Sequence, residues 1–461
     1  MAVAIVFRFI PGSFRIGYRN GGDKRVLHAG VELMLTFLQN AASVAHTRRY
    51  HGKQRIANDF VNDARLDGLT LSRSAGSVYY FNGSGVLTAT GDNVAAFTSN
   101  GLFIEGQATN LVAAANYRDF STWTLTGVTM KATTPTGIDG TTLTSAKNEI
   151  LEDTGNTEHR GLIAFTTGSA TKQSAMVAVK RGTGTRHAQV RIGNATDGIY
   201  GSVTYNLDTL ATIGAVTADY TNAYVKGAYV IIELIDTNVT TGAQSLYVNI
   251  HDGTTNSYTG DGTSTLILDW AQVVAGNSLL GSPQSHVQGA ATRYTSFLSR
   301  PWIGATINFW VYVDITHRYS YQHPGTVSQY LFSVYVDANN YFRFRVPGDA
   351  TGNMIAETNN AATSQSATVT AVNYVAGQRN RCVVSYDSVN GLRVRCNRAG
   401  TAFTGSVSTS KIPIPLLSST TFYLGSLGDA NIQRVLNHEI AAYRIGTGIL
   451  TVAQQTDMVG A

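Results

Sequence analysis

The sequence predicts an all-β chain: two tandem antiparallel β-sandwiches (jelly rolls), preceded by a small amino-terminal segment that carries one helix. Three observations lead there. Apolar and polar residues alternate almost unbroken from Leu69 to Arg444, interrupted by Gly, Asn, Asp and Ser, which is the period of strands with one wet face. The composition is rich in turn and strand formers, with 46 Gly and 23 Tyr, while only 14% of residues are charged. At 461 residues the chain exceeds what one core usually holds, about 250 to 300 residues, so two or three domains are expected.

Residues 1–66 are the least strand-like. They hold ten Lys/Arg against four Asp/Glu, a net of +6, whereas the remainder is nearly balanced at 24 against 25. Val31, Met34, Leu35, Leu38, Ala42 and Ala45 recur at helical spacing, which predicts one amphipathic helix within Val26–Ala45. The segment reads as a basic attachment or assembly element; a charged tail and an acidic partner surface both fit it. Ala2–Ile10 is short and broken by Arg8, so no export signal is expected, and no apolar run approaches the about 20 residues that span a bilayer.

Residues 67–111 read as a connector of short strands at Leu69–Ser72, Val78–Phe81, Val94–Thr98 and Gly101–Ile104, too small for a core of its own and expected to pack on a neighbour. Residues 112–283 alternate at Ser174–Lys180, His187–Ile192, Val203–Asn206, Tyr229–Leu234, Leu246–His251 and Leu266–Val273, the strand content of a jelly roll. Residues 284–300 are the linker. Residues 301–461 form the second sandwich, with strands at Ile307–Val313, Tyr330–Val336, Tyr341–Val346, Arg379–Tyr386, Leu392–Asn397, Thr421–Gly425 and Ile440–Ile445, then a short helix over Leu450–Met458.

The only cysteines, Cys382 and Cys396, flank the hairpin loop at 387–391. Pairing the strands symmetrically about Val389 makes them cross-strand neighbours, with Val384, Tyr386, Leu392 and Val394 on the same face. Two reduced core thiols are expected, since bridges between paired strands are strained. The same register gathers Arg379, Arg381, Arg393 and Arg395 on the opposite face. If the Tyr341 strand lies in that sheet, Arg343 and Arg345 join them, and six guanidinium groups with nearby tyrosines would attract carboxylated or phosphorylated glycans. A solvated face, or one paired with acidic residues of another subunit, is the alternative.

Catalytic signatures are missing. No Glu-x-Asp-x-x-Glu places the two carboxyls a retaining glucanase needs, no Gln-x-His strand accompanies Tyr341–Val346, and no His-x-x-x-His or His-Glu-x-x-His occurs. Gly182–Thr185 and Gly260–Thr263 lack the Lys-Ser/Thr of a phosphate cradle and read as loop tips. No cofactor is expected. Asp252, Asp261 and Asp269 could offer oxygen ligands to Ca²⁺, although solvated loop carboxylates explain them more simply.

The stretch Gly101-Leu102-Phe103-Ile104-Glu105-Gly106-Gln107-Ala108-Thr109-Asn110-Leu111, followed by Asp119-Phe120-Ser121-Thr122-Trp123 and preceded by Leu69-Thr70-Leu71-Ser72-Arg73-Ser74, resembles a recurrent passage of tailed-bacteriophage virion proteins that announces a carbohydrate-binding-module-like jelly roll. Asp269–Gly276, continuing to Ala291-Thr292-Arg293, resembles the closing strand and exit of that module. Arg381–Asp387, Phe422–Ser426 and the Ile440–Leu450 passage are similar to concanavalin A-like and laminin-G-like sandwiches. The resemblance implies a non-enzymatic virion protein, assembled in the host cytoplasm: a tail-fibre-like, capsid-fibre or decoration component. Its partners would be other virion proteins and surface polysaccharide, with no membrane insertion and no specific nucleic acid, as a homo-oligomer, a trimer among the states the resemblance allows. Two rivals stand beside it: a depolymerase or lyase of acidic glycans, and a purely architectural virion protein.

Overall fold

The computed structural model describes residues 7–10, 13–16 and 54–460, apart from 74–78, 83, 85, 92, 105–107, 114, 168–171, 195–197, 238–240, 276–291, 294–296, 304–307, 319, 323–327, 362, 399, 406–419, 429–435 and 437. Two compact units divide the chain, Met1–Gln54 and Arg55–Ala461. In the first, Phe7–Ile10 and Ser13–Ile16 form an antiparallel hairpin in which Phe7 faces Ile16 and Phe9 faces Phe14. The helix expected within 26–45 lies outside the described residues.

The second unit holds two antiparallel sandwiches. In one, Thr124–Thr126, Asn156–Thr167, Gly242–His251, His187–Asn194 and Gly198–Tyr205 pair in that order. The facing sheet runs Val128–Met130, Glu149–Glu152, Thr265–Ala275, Gln173–Arg181, Tyr229–Asp236 and Tyr220–Lys226. Alternate residues such as Val177, Val190, Ile192, Val203, Ile232, Leu246, Val248 and Leu268 meet between the sheets and are fully buried. Strand alternation dictates this core, because residues two apart share a face.

In the other sandwich, Thr363–Val369, Met354–Asn360, Asn340–Val346, Gln329–Asp337, Thr421–Leu424, Phe297–Pro301 and Thr70–Ser72 make one sheet. Thr401–Thr404, Gly391–Arg398, Arg379–Asp387, Phe309–Thr316, Glu439–Thr447, Gly101–Phe103 and Ala96–Thr98 make the other, with Gln54–Asp59 also pairing on Glu439–Thr447. Phe309, Phe332, Phe342, Phe344 and Phe422 fill the space between them.

The chain path differs from a simple succession. Of the 67–111 segment, Thr70–Ser72, Ala96–Thr98 and Gly101–Phe103, with Gln54–Asp59 before it, belong to the sheet edges of the second sandwich, Tyr79–Phe81 and Leu87–Ala89 pair as a separate hairpin, and Phe60, Leu69, Leu102 and Ile104 are buried in the second sandwich's core. Phe60 stacks on Tyr443 with ring centroids 5.9 Å apart. The first sandwich is therefore inserted between Gly101–Phe103 and Phe297–Pro301 of the second. Its entry and exit, Ala108–Thr109 and Thr292–Arg293, pair with each other antiparallel, which closes the insertion at its neck.

The hairpin register is the expected one: Cys382 faces Cys396, and Val384 faces Val394. The two sulfurs are joined as a disulfide, which corrects the expectation of reduced thiols. Directly opposed residues on one face of an antiparallel pair are close enough to bridge, and the Cα atoms here are 4.1 Å apart.

The carboxy-terminal helix, Val452–Val459, forms where expected. Thr451 and Gln454 make a reciprocal capping box, and Gly460 ends the helix at φ 70°, a left-handed conformation that glycine adopts without a Cβ penalty. Among the described residues, no helix is long and apolar enough to cross a membrane.

Candidate functional site

The six arginines do not share one face. Arg379, Arg381, Arg393 and Arg395 lie in one sheet of the second sandwich, and Arg343 and Arg345 lie in the opposite sheet, so the single six-arginine surface is corrected to two outer faces on either side of the core. Arg393 donates to Asp387 and to the Leu450 carbonyl, both at 2.8 Å, and Arg395 donates to the Thr456 hydroxyl at 2.9 Å. With Gln455 on Ser385 at 2.9 Å, these two arginines fasten the carboxy-terminal helix to the sheet.

The other four form two pairs of one design. Arg343 and Arg345 point from alternate positions of Asn340–Val346, and Glu357, directly opposite Arg343 on the next strand, accepts from both at 2.6 Å. The Arg343 guanidinium sits 4.0 Å from the centroid of Tyr341 and 5.4 Å from that of Tyr330. Arg345 also donates to the Ser328 hydroxyl at 2.8 Å. Burial raises the Glu357 pKa, but the hydrogen bonds and charges of the two arginines outweigh it and hold the carboxyl below its usual range.

On the far sheet, Asp314 accepts a two-pronged contact from Arg379 at 2.7 and 2.8 Å and lies 3.5 Å from Arg381. Tyr312 donates to the same carboxylate at 3.2 Å, and the Arg444 guanidinium lies 5.3 Å above the Tyr312 ring. This is the most open of the pairs, with the Arg379 and Arg381 side chains 47% and 45% exposed. The Asp314 hydrogen bond is the main cause of the raised Arg379 pKa.

A third pair, which sequence reasoning missed, lies on the inserted sandwich. Glu158 accepts from Arg160 at 2.5 Å and from Arg191 at 3.2 Å, and both guanidiniums lie over Tyr247, at 5.1 and 5.0 Å from its centroid. Asn249, next to Tyr247 in register, is fully buried, and neither atom of its amide has a hydrogen-bond partner among the described residues. The signal was Tyr247 and Asn249 at alternate positions facing Gln189 and Arg191, which needed the strand pairing to be seen.

Each site therefore places two guanidiniums on one carboxylate beside a tyrosine ring. Among the described residues, one positive charge per site has no counter-ion of its own, and it is fixed in a planar donor geometry that suits carboxylate or phosphate oxygens. The tyrosines hold the guanidiniums in place: Tyr247 and Tyr312 are buried with arginines over their rings, and Arg343 lies over Tyr341.

The candidate Ca²⁺ carboxylates do not converge. Asp252 caps the Thr254 and Thr255 amides, Asp261 caps Thr263 and Ser264, and Asp269 is buried against Arg118 at 2.5 Å. Among the described residues, no group of three or more His, Cys, Asp or Glu could hold a metal ion. His438 is buried, its Nδ1 accepting from the Arg318 amide at 3.1 Å, and desolvation lowers its pKa to about 3.

No protein-family model matches the chain, and no curated protein matches it. Among solved structures, a heptameric SAP-like pentraxin of Limulus polyphemus aligns with 33% of this chain and 70% of its own, at 13% identity and a TM-score of 0.24. The CBM40 module of a Ruminococcus gnavus IT-sialidase covers 34% of this chain and 85% of its own, at 14% identity and a TM-score of 0.26. A tail fiber protein of an E. coli phage covers 66% of this chain and 36% of its own, at 9% identity and a TM-score of 0.20. Scores this low make these proteins similar to the chain in part of their alignment only, and they carry no argument about its ligand.

Proposed function

We propose that this protein is a non-catalytic bacteriophage virion component whose sandwiches hold acidic surface polysaccharide through paired arginines. The observation that supports the reading is the repeated site: Arg343 and Arg345 on Glu357, Arg379 and Arg381 on Asp314, and Arg160 and Arg191 on Glu158, each beside a tyrosine. Shallow sites of this kind bind weakly one at a time. Display of several on one chain, and of several chains on one particle, raises the effective affinity by about 10² to 10⁴ when the polymer reaches more than one site. Residues 1–66, with their net charge of +6, are assigned to attachment to other virion proteins.

Incubating the purified chain with an acidic polysaccharide and with a neutral one tests this. The expected result is retention on the acidic polymer with no new reducing ends. Steady release of reducing ends or of unsaturated products would replace the binding reading with a depolymerase, and no retention on either polymer would leave an architectural role.

A further inference from the structure

We infer that the contact between the inserted sandwich and its host is an acid-sensitive joint: two buried histidines of the host, His317 and His438, hold it closed only while both rings are neutral, and it opens locally as they take up protons.

The joint is built on one residue. Arg318 donates to the Tyr224 hydroxyl of the inserted sandwich at 3.3 Å and lies 3.9 Å from Glu233, which also accepts from Tyr224 at 2.9 Å. Its guanidinium lies 5.1 Å from the centroid of Phe103. From the host side the same residue is held by its backbone, the Arg318 amide donating to Nδ1 of His438 at 3.1 Å. His317, one position earlier, is fixed by its own backbone: its amide donates to the Gln378 carbonyl at 2.9 Å and its carbonyl accepts from the Gly377 amide at 2.7 Å. The His317 ring stacks flat on Tyr374, with centroids 3.9 Å apart, and meets His438 edge-on at 4.8 Å.

This arrangement accepts neutral rings only. Nδ1 of His438 accepts the Arg318 amide, so a proton on that nitrogen would set two N–H groups against each other and remove the acceptor. His317 is buried, and neither of its ring nitrogens has a hydrogen-bond partner among the described residues, so an imidazolium there would be a charge with two unmet donors. The charged and titratable neighbours do not relieve this. Desolvation and then the neighbouring His438 hold the His317 pKa well below its usual value, and desolvation and then the charge of Arg318 hold that of His438 at about 3. Tyr374, against His317, is itself kept neutral by burial, with Asp349 and Tyr220 acting in the same direction, and Tyr321 packs on it edge-on. Glu439 accepts from Asn100 at 2.8 Å, and Lys226 feels the charges of Glu439 and Arg318.

The sign follows from which form binds more protons. A ring kept neutral in the closed form stabilises it fully above about pH 6.5; below that, the opened fraction rises about tenfold per pH unit for each imidazole. Glu233 acts in the opposite direction, since burial raises its pKa and its protonation favours the closed form, so one carboxyl offsets part of what two imidazoles drive. Opening leaves the strand pairing of the host intact, because Thr316 facing Glu439 is the last pair of those two strands, with His317 and Arg318 beyond one end and His438 before the other. The neck of the insertion, Ala108–Thr109 on Thr292–Arg293, is two residues long and allows the inserted sandwich to tilt once Arg318 lets go. The inference does not rest on the sheet-face reading, since none of the paired arginines takes part.

Hydrogen–deuterium exchange of the full chain at pH 7.5 and 5.0, corrected for the intrinsic pH dependence of exchange, reads the joint directly through the Arg318 amide. Its protection should fall at least tenfold at pH 5.0 while the amides of Val177, Val190, Val311 and Val384 stay protected. His438→Asn offers an acceptor oxygen that does not titrate, and His317→Phe keeps a ring on Tyr374; the double variant should hold Arg318 equally protected at both pH values, and each single variant should keep about half of the response on a logarithmic scale. Glu233→Gln removes the opposing proton and should make the response steeper. Equal protection of the wild-type Arg318 amide at the two pH values would overturn the inference. So would a double variant that opens as wild type does, or loss of protection at Arg318 only together with both sandwich cores.

Discussion

Replacing Glu357 by Gln separates a binding role for Arg343 and Arg345 from a structural one, because the two roles predict opposite signs. Three hydrogen bonds reach the carboxylate, at 2.6 Å from Arg343 and at 2.6 and 3.2 Å from Arg345. Bonds to charged groups contribute about 1.5–3 kcal/mol each, but these share one acceptor, and the side chains are 15–19% exposed. The amide keeps one acceptor oxygen, so the net loss of stability should be about 3 kcal/mol, a fall of about 10 °C in the unfolding midpoint at about 3 °C per kcal/mol. The same change frees both guanidiniums from their counter-ion. Affinity for an acidic polysaccharide should rise by about 1 kcal/mol, or about fivefold, at low salt. Urea unfolding and calorimetric titration of wild type and variant read the two quantities separately. If the folded variant binds the polymer no better, or less well, the pair is a brace for the sheet and the argument from shared carboxylates fails.

Further outcomes follow from the same geometry. His317 and His438 are both buried and desolvation depresses both pKa values, His438 to about 3. The unfolded chain takes up their protons first, so stability is full above pH 6.5 and falls as the pH drops below it, by up to about 1.4 kcal/mol per pH unit for each imidazole; His438→Asn should flatten that slope in urea titrations from pH 7 to 4. Reducing the Cys382–Cys396 disulfide, which spans 14 residues, should remove about 3 kcal/mol by the loop-entropy account, seen as a lower urea midpoint with reductant than without. Thr451→Ala breaks the capping box and should lower stability by about 1 kcal/mol while leaving polysaccharide retention intact, since Arg393 and Arg395 serve the helix.

Much of the fold was legible because strand period shows itself when the two faces differ in chemistry. The 379–398 hairpin puts Cys, Val, Tyr and Leu on one face and arginines on the other, and its register follows from that contrast. Thr363–Val369 was missed because its outward positions are Ser364, Ser366 and Thr368, and Met354–Asn360 because Glu357, Asn359 and Asn360 leave it little apolar alternation, so both read as loop. Asn156–Thr167 was missed because its first half, Asn-Thr-Glu-His-Arg-Gly, carries no apolar side chain. Insertion of one sandwich into the other was not legible at all: Leu102 pairs with Ile440, and no local pattern announces a partner so far along the chain. The site divides in the same way. The arginines stood out from strand alternation, but their acids sit on neighbouring strands, Glu357 on one that was missed, so the sequence suggested a bare cationic face where the structure has pairs that share a carboxylate. Of His438 and Glu439, neighbours in sequence, the first is buried and accepts from the Arg318 amide, and the second accepts from Asn100.

The most direct test of the central claim is the retention of wild type and of an Arg191→Gln, Arg343→Gln, Arg381→Gln triple variant on an immobilised acidic polysaccharide across a salt gradient, with a neutral polymer as control. Wild type should be held at low salt, released as salt screens the arginines, and ignored by the neutral polymer, while the folded triple variant should elute at or near the void. Equal retention of the two proteins, or retention of wild type that does not respond to salt, would contradict the account.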